Sequence, residues 1–247
     1  MLSGEVQVLV AAEQPIQATL NGADLVYVVA PFSTIFYSLY TRPEIVDASG
    51  LKGKTLGITG PGAATDTAAR MALRNLQLDP SRDVTMTSLQ TAQNILAALQ
   101  TGGIDAGMLS NPTTLQAQAL GMRELVNVAH LNQPFPSAWA AASRKYITAH
   151  PDTIRRYVKS IVEAIAFELD NPAPTQQVLA KYIQIDDADI ARASYEEVLP
   201  YLKRNPAPDA QAVRAALDGL SGTMPQAASA DPASFIDSRF TNELFPQ

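Results

Sequence analysis

The chain has no cysteine among its 247 residues. This excludes disulfides, thiolate metal sites and cysteine nucleophiles, and it leaves the redox compartment unreadable. Histidine is nearly as scarce. His130 and His150 stand alone, with no second histidine or carboxylate at metal-ligand spacing. His150, immediately before Pro151, reads as a helix-start residue rather than a base. Basic residues are too few and too scattered to form a stripe. The 18 Lys and Arg against 24 Asp and Glu leave a net charge of −6, so neither a nucleic-acid surface nor a polybasic lipid-binding segment is expected. No apolar run approaches the roughly 20 residues of a membrane-spanning helix. A GxSxG elbow, a phosphate loop and a GxGxxG fingerprint are all missing. No catalytic residue, metal ligand or cofactor site is therefore assigned.

What remains is an ordinary globular composition, 47% hydrophobic and 17% charged. Short β-rich runs lie at Val6–Ala12, Leu25–Pro31 and Thr34–Tyr40, with a helical stretch at Pro15–Asn21 stopped by Gly22. From the Lys52–Lys54 turn onward, strands alternate with helices. Strand Thr55–Thr59 precedes helix Ala63–Leu76, strand Asp83–Leu89 precedes helix Thr91–Gln100, and strand Ile104–Leu109 precedes helix Pro112–Leu120. Strand Glu124–Ala129 closes the series. This spacing predicts an α/β architecture with a mostly parallel sheet flanked by helices. Beyond about Ser143 the chain turns helical. A long amphipathic helix spans Pro151–Leu169, started by Pro151 and Asp152 and ended by Asn171-Pro172. Helices follow at Pro174–Tyr182, Asp187–Leu202 and Asp209–Leu220. The Ala, Ser and Pro-rich tail Thr223–Pro232 is expected to wrap loosely over the surface.

The most informative stretch is Gly57–Gly62 (GITGPG). It resembles a dinucleotide fingerprint only loosely, because the third glycine is misplaced and no acidic ribose partner follows about 20 residues on. Its other feature is structural: a strand runs through a glycine turn into a helix that begins Ala63-Ala64-Thr65-Asp66. Such a junction aims unpaired backbone N–H groups at the carboxyl end of the strand, where the helix dipole favours an anionic or carbonyl oxygen. Alternatively, Thr65 or Asp66 merely caps the helix. Spacing alone leaves both readings open.

Four segments together resemble a known family: Asp47–Gly62 (DASGLKGKTLGITGPG), Ala97–Asp105 (AALQTGGID), Asn111-Pro112, and Asp231–Phe245 (DPASFIDSRFTNELF). They are similar to the solute-binding proteins of ABC importers for nitrate, sulfonates, taurine and thiamine-pyrimidine precursors. His150–Pro172 resembles the long helix of those proteins, so the resemblance covers essentially the whole chain. It implies a type II periplasmic-binding-protein fold, with two α/β lobes joined by two crossing segments. Lobe one is expected at residues 1–52 and 133–247, and lobe two at 53–132. The implied function is to bind a small organic solute bearing a carboxylate, sulfonate or carbonyl group between the lobes by hinge closure. A membrane permease and its ATPase are the implied partners, and the binding protein itself is expected to be a monomer.

Residue by residue, Thr59, Gly60, Gly62, Ala63, Ala64 and Thr65 match the family's binding loop, and Asn111 matches the residue that faces the ligand after the next strand. The opening SGEVQVLVAAEQP resembles the family's "sGevDv" segment, which places Glu13 and Gln14 on the first lobe's side of the site. Glu13 departs from the pattern, because a carboxylate there, unless neutralised, repels an anion and disfavours a simple nitrate or sulfonate ligand. Phe135, Pro136 and Trp139 fall where the chain should cross back, either as core or as a ring stacked on the ligand. Family members carry a further strand–helix unit before the SGEVQV segment. The first lobe is thus expected to be incomplete at its N-terminus, and the full-length form to carry a signal sequence and to be periplasmic or extracellular and membrane-anchored. Two rivals accompany this reading. One is an enzyme on the same scaffold, of the pyrimidine-precursor or menaquinone-pathway type. The synthases that resemble the family need cysteine and histidine constellations, which this chain lacks. The other is a sensory ligand-binding domain.

Overall fold

The computed structural model describes residues 5–184 and 186–246; Ser3 and Gly4 of the SGEVQV segment lie outside them. Along the chain come β1 (Val8–Ala11), α1 (Gln14–Leu20), β2 (Leu25–Val29), β3 (Ser38–Thr41), β4 (Lys54–Ile58) and α2 (Ala64–Asn75). Next are β5 (Val84–Ser88), α3 (Ala92–Thr101), β6 (Ala106–Leu109), α4 (Thr113–Ala119), β7 (Arg123–Asn127) and β8 (Trp139–Ser143). The helices α5 (Arg144–Ala149), α6 (Pro151–Asp170), α7 (Pro172–Ile183), α8 (Ala188–Val198), α9 (Ala210–Leu220) and α10 (Arg239–Leu244) complete it. No helix among the described residues is long and apolar enough to cross a membrane.

The chain divides into two units. The first combines the segment up to Thr34 with Gln133 onward, and the second is the continuous stretch Ile35–Asn132. The first crossing thus falls well before residue 52, where it was expected. Residues 35–52 join the second unit because β3 inserts between β6 and β7 and pairs with both. Leu51, fully buried in the 3-10 turn Ala48–Leu51, adds to that core.

In the second unit the strand order is β5-β4-β6-β3-β7. Only the β4–β5 and β4–β6 pairs are parallel, whereas β3 runs antiparallel to both neighbours. The expected mostly parallel sheet is therefore mixed, because β3 reaches the sheet from outside the β–α–β series. Successive crossovers β4–α2–β5 and β5–α3–β6 run in opposite directions across the sheet. Right-handed connections then place α2 and α3 on opposite faces. On the α3 face, Tyr40, Ile95, Leu99, Ile104, Leu109 and Ala117 form one apolar cluster. Gly57 and Gly107 let α3 approach this closely. A Cβ on Gly107 would sit 2.4 Å from Ile95 Cγ2, and one on Gly57 would sit 2.7 Å from Ile104 Cδ1.

The first unit holds a three-stranded sheet, β1-β8-β2, antiparallel at both pairings. β8 was not foreseen as a strand, yet it is the central one. Val26, Val28, Ala140 and Ala142 pack with Ile154 and Val158 of α6 and Phe240 of α10. The outer edge of β1 pairs with no described strand, and Val10 there is 56% exposed. The tail is held more firmly than its composition implies. Ala227 is buried and Arg214 Nη2 donates to the Ala230 carbonyl at 2.6 Å; just beyond the tail, Phe235 is buried and Asp237 N–H donates to Tyr27 O at 2.8 Å.

Tyr195 of α8 donates its hydroxyl to the Glu168 carbonyl of α6 at 2.8 Å, pinning the last turns of the long helix. Burial pushes the Glu168 carboxyl above its ordinary range. A raised carboxyl penalises the fold where it is charged, and the penalty fades as pH falls through the folded value. Glu168→Gln should therefore raise Tm by about a degree or two at pH 7, since solvent screens much of the effect at this half-exposed site. Below about pH 3, where the carboxyl is neutral in both states, parent and variant should coincide by calorimetry. A uniform gain at every pH would assign the effect to helix propensity instead.

Candidate ligand-binding site

The parallel strands β4, β5 and β6 end on the same edge of the second unit's sheet. Antiparallel β3 starts there, with Ser38 beside Leu109 on one side and Asn127 on the other. The β4–α2 turn lies on this edge. Gly62 takes φ 72°, the left-handed region that glycine enters without steric cost. Ala63 then occupies the N-cap of α2 in extended conformation, with no side chain to cap the helix.

Neighbouring side chains spend their hydrogen bonds on the turn. Thr65 Oγ1 accepts the Thr59 N–H at 2.9 Å and lies 2.7 Å from Thr59 Oγ1. Asp66, also buried, accepts the Gly62 N–H through Oδ2 at 2.8 Å and Arg70 Nε through Oδ1 at 2.8 Å. The Thr59 carbonyl takes Ser88 Oγ at 2.9 Å and Gln90 N–H at 3.1 Å. Ala63 N–H turns back to Gly60 O, and the amides of Asp66 and Thr67 both reach Ala63 O. The amides of Ala64 and Thr65 donate to no described residue. The cap reading and the ligand reading thus concern different atoms. The side chains of Thr65 and Asp66 fix the turn, and the first two helix amides stay open at the positive end of the dipole.

Asn111 stands one strand over, just beyond β6. Its Oδ1 accepts the Thr114 hydroxyl, while Thr113 Oγ1 donates to Ser110 O at 2.6 Å. Helix α4 therefore sets the orientation of the Asn111 amide. Two further residues on this edge escaped the sequence reading. Ser88 buttresses the Thr59 carbonyl, and Tyr37 precedes β3 with a half-buried ring whose phenol is pushed up by burial. Neither belongs to a motif, and only strand register brings them to this edge.

Glu13 and Gln14 belong to the first unit, where β1 ends and α1 begins. Glu13 is buried, 8% exposed, and its Oε1 accepts Gln17 Nε2 at 3.3 Å. Gln14 Oε1 accepts the Ala12 N–H at 3.0 Å, and the Tyr27 hydroxyl donates to Ala12 O. Burial, and then the Glu13 charge, push the Tyr27 phenol far up. Trp139 resolves as core rather than as a ring open to ligand. It is fully buried, donates Nε1–H to Phe32 O at 2.7 Å, and meets Tyr27 edge-on at 5.2 Å. His150 opens α6 with its ring against Tyr146.

Residues 8–184 match the model of the NMT1-like family. The chain belongs to that family. A candidate ABC transporter periplasmic binding protein of Brachyspira hyodysenteriae is 29% identical to this NMT1-like chain over 158 residues. That match takes in 63% of this chain and 44% of the relative, so the chain spans less than half the length of the relative. The periplasmic aliphatic sulphonate binding protein SsuA of Escherichia coli superposes with a TM-score of 0.75 at 24% identity, over 98% of this chain and 82% of that one. The desulfurization enzyme DszB superposes at 0.69 and 15% identity, over 96% and 84%. These likenesses show the fold, the α/β fold of periplasmic binding proteins, which binding proteins and at least one enzyme share.

Proposed function

We propose that this chain is the solute-binding component of an ABC importer, capturing a small organic solute and releasing it unaltered to a permease with its ATPase. The observation that carries this reading is the pair of open amides, Ala64 and Thr65, on a turn whose Thr59, Gly62 and Ala63 amides already have partners. Preorganised backbone donors at a helix start suit a carboxylate, sulfonate or carbonyl oxygen. Thr59, Gly60, Gly62 and Ala63 shape the approach, and Asn111 adds an amide. Glu13 and Gln14 are the first unit's contribution upon hinge closure. The buried Glu13 carboxylate favours an organic solute with a donor group over a bare inorganic anion. Residence outside the cytoplasmic membrane and a monomeric state belong to the same reading.

The test is capture without conversion. The 247-residue chain, stripped of bound solutes by denaturation and refolding, is screened by thermal shift against ethanesulfonate, taurine, propionate and pyrimidine. At about 100 times its Kd, a bound probe adds about 2.7 kcal/mol of stability. The probe should then return chemically unchanged after denaturation. An altered product at more than one equivalent per protein would establish an enzyme.

A further inference from the structure

Register and face single out Tyr37. The β3 ladder continues one residue upstream of Ser38, because the Tyr37 carbonyl accepts Val128 N–H at 2.9 Å. With Ser38 opposite Leu109, the antiparallel register brings Tyr37 beside Ser110, next to Asn111. Side chains alternate along a strand, so Tyr37 and Tyr40, three residues apart, point to opposite faces. Tyr40 lies on the α3 and α4 face, where it packs on Ile95 and Leu99 and its hydroxyl takes Gln118 Nε2 at 2.8 Å. Tyr37 therefore lies on the α2 face. Helix α2 packs across β3, β6 and the 3-10 turn Val128–Leu131, and its N-terminus rises from the same sheet edge. Among the described residues the Tyr37 hydroxyl makes no hydrogen bond.

From this placement we infer that Tyr37 is a specificity-determining residue of the site, its phenol donating to the same solute oxygen group that the Ala64 and Thr65 amides hold. The inference rests on the solute-binding reading and narrows it. Three convergent donors match a group with several lone pairs, a carboxylate or sulfonate, better than a single carbonyl oxygen. Burial keeps the phenol protonated across the physiological range, so it acts as a donor and not as a competing anion.

Tyr37→Phe removes the hydroxyl and little else. In calorimetry with ethanesulfonate and propionate, the variant should bind at least tenfold more weakly than the parent. Binding of a neutral probe such as pyrimidine should change less than threefold. Without any probe the variant should melt with the parent, since the hydroxyl has no partner to lose; a lower melt would make the residue structural and overturn the inference. Equal anion affinity in parent and variant would also overturn it, while leaving the solute-binding reading intact. Gly62→Val, which strains the φ 72° turn, separates the two ideas further. If Tyr37→Phe weakens anion binding and Gly62→Val does not, the phenol and the helix amides do not hold one solute group, and the inference is overturned although Tyr37 remains a binding residue. If no probe stabilises the parent, both fall.

Discussion

Replacing Trp139 with alanine is expected to remove about 3–5 kcal/mol of stability, the cost of truncating a fully buried aromatic. Three losses combine. The cavity opens at the centre of the first unit's sheet, where β8 pairs with both neighbours and Trp139 stands opposite Ala11. The edge-on contact with Tyr27 disappears, and the Phe32 carbonyl loses its indole donor. Urea unfolding followed by circular dichroism checks this directly. Trp139→Phe, which keeps most of the ring but not the donor, should recover more than half of the loss. If alanine costs less than about 1 kcal/mol, the site relaxes around the gap and the indole is not the anchor of this strand.

In the second unit the corresponding weak point is a residue without a side chain. Gly107→Val should destabilise by about 1–3 kcal/mol or more, because overpacking forces a fitted interface apart. Its Cβ would meet Ile95 Cγ2 at 2.4 Å and Leu99 Cδ1 at 3.2 Å, both on α3 and both fully buried. For a unit of this size each kcal/mol corresponds to about 4–8 °C in Tm. The double variant Gly107→Val with Ile95→Ala should regain part of the loss, since it opens room where the clash occurs. Additive losses would mean that α3 does not set the limit. Because α3 covers the face away from Tyr37, probe affinity should change far less than stability.

Much of this was legible in the residues. Helices α2, α3 and α6 carry strong periodicity with clear starts and stops, and the glycine turn before α2 announces itself by composition. β8 does not. Its sequence, WAAAS, is poor in β-branched residues, yet it is a central strand buried on both faces. There sheet hydrogen bonds on two sides and the lack of room for larger side chains override propensity. The early crossing was hidden for a related reason: only pairing with β6 and β7 assigns β3 to the second unit. At the glycine turn, composition announced open backbone donors but not which amides they are. Which amides stay free depends on whether Thr65 and Asp66 turn toward Thr59 and Gly62 or toward their own helix. Tyr37 was invisible because a strand's face is undefined until its register is known.

The position of β8 also dictates an order of events during synthesis. Among the described strands, β1 and β2 each pair with β8 and not with each other. Both leave the ribosome long before their shared partner, while all of Ile35–Asn132 is still to be made. The second unit, being continuous, can close on itself in the meantime. The five consecutive buried residues of β2 gain their sheet partner only once Ser143 has been added. In a nascent chain β2 thus lacks its central sheet partner while the whole second unit is made, and the pairing that completes it is long-range in sequence.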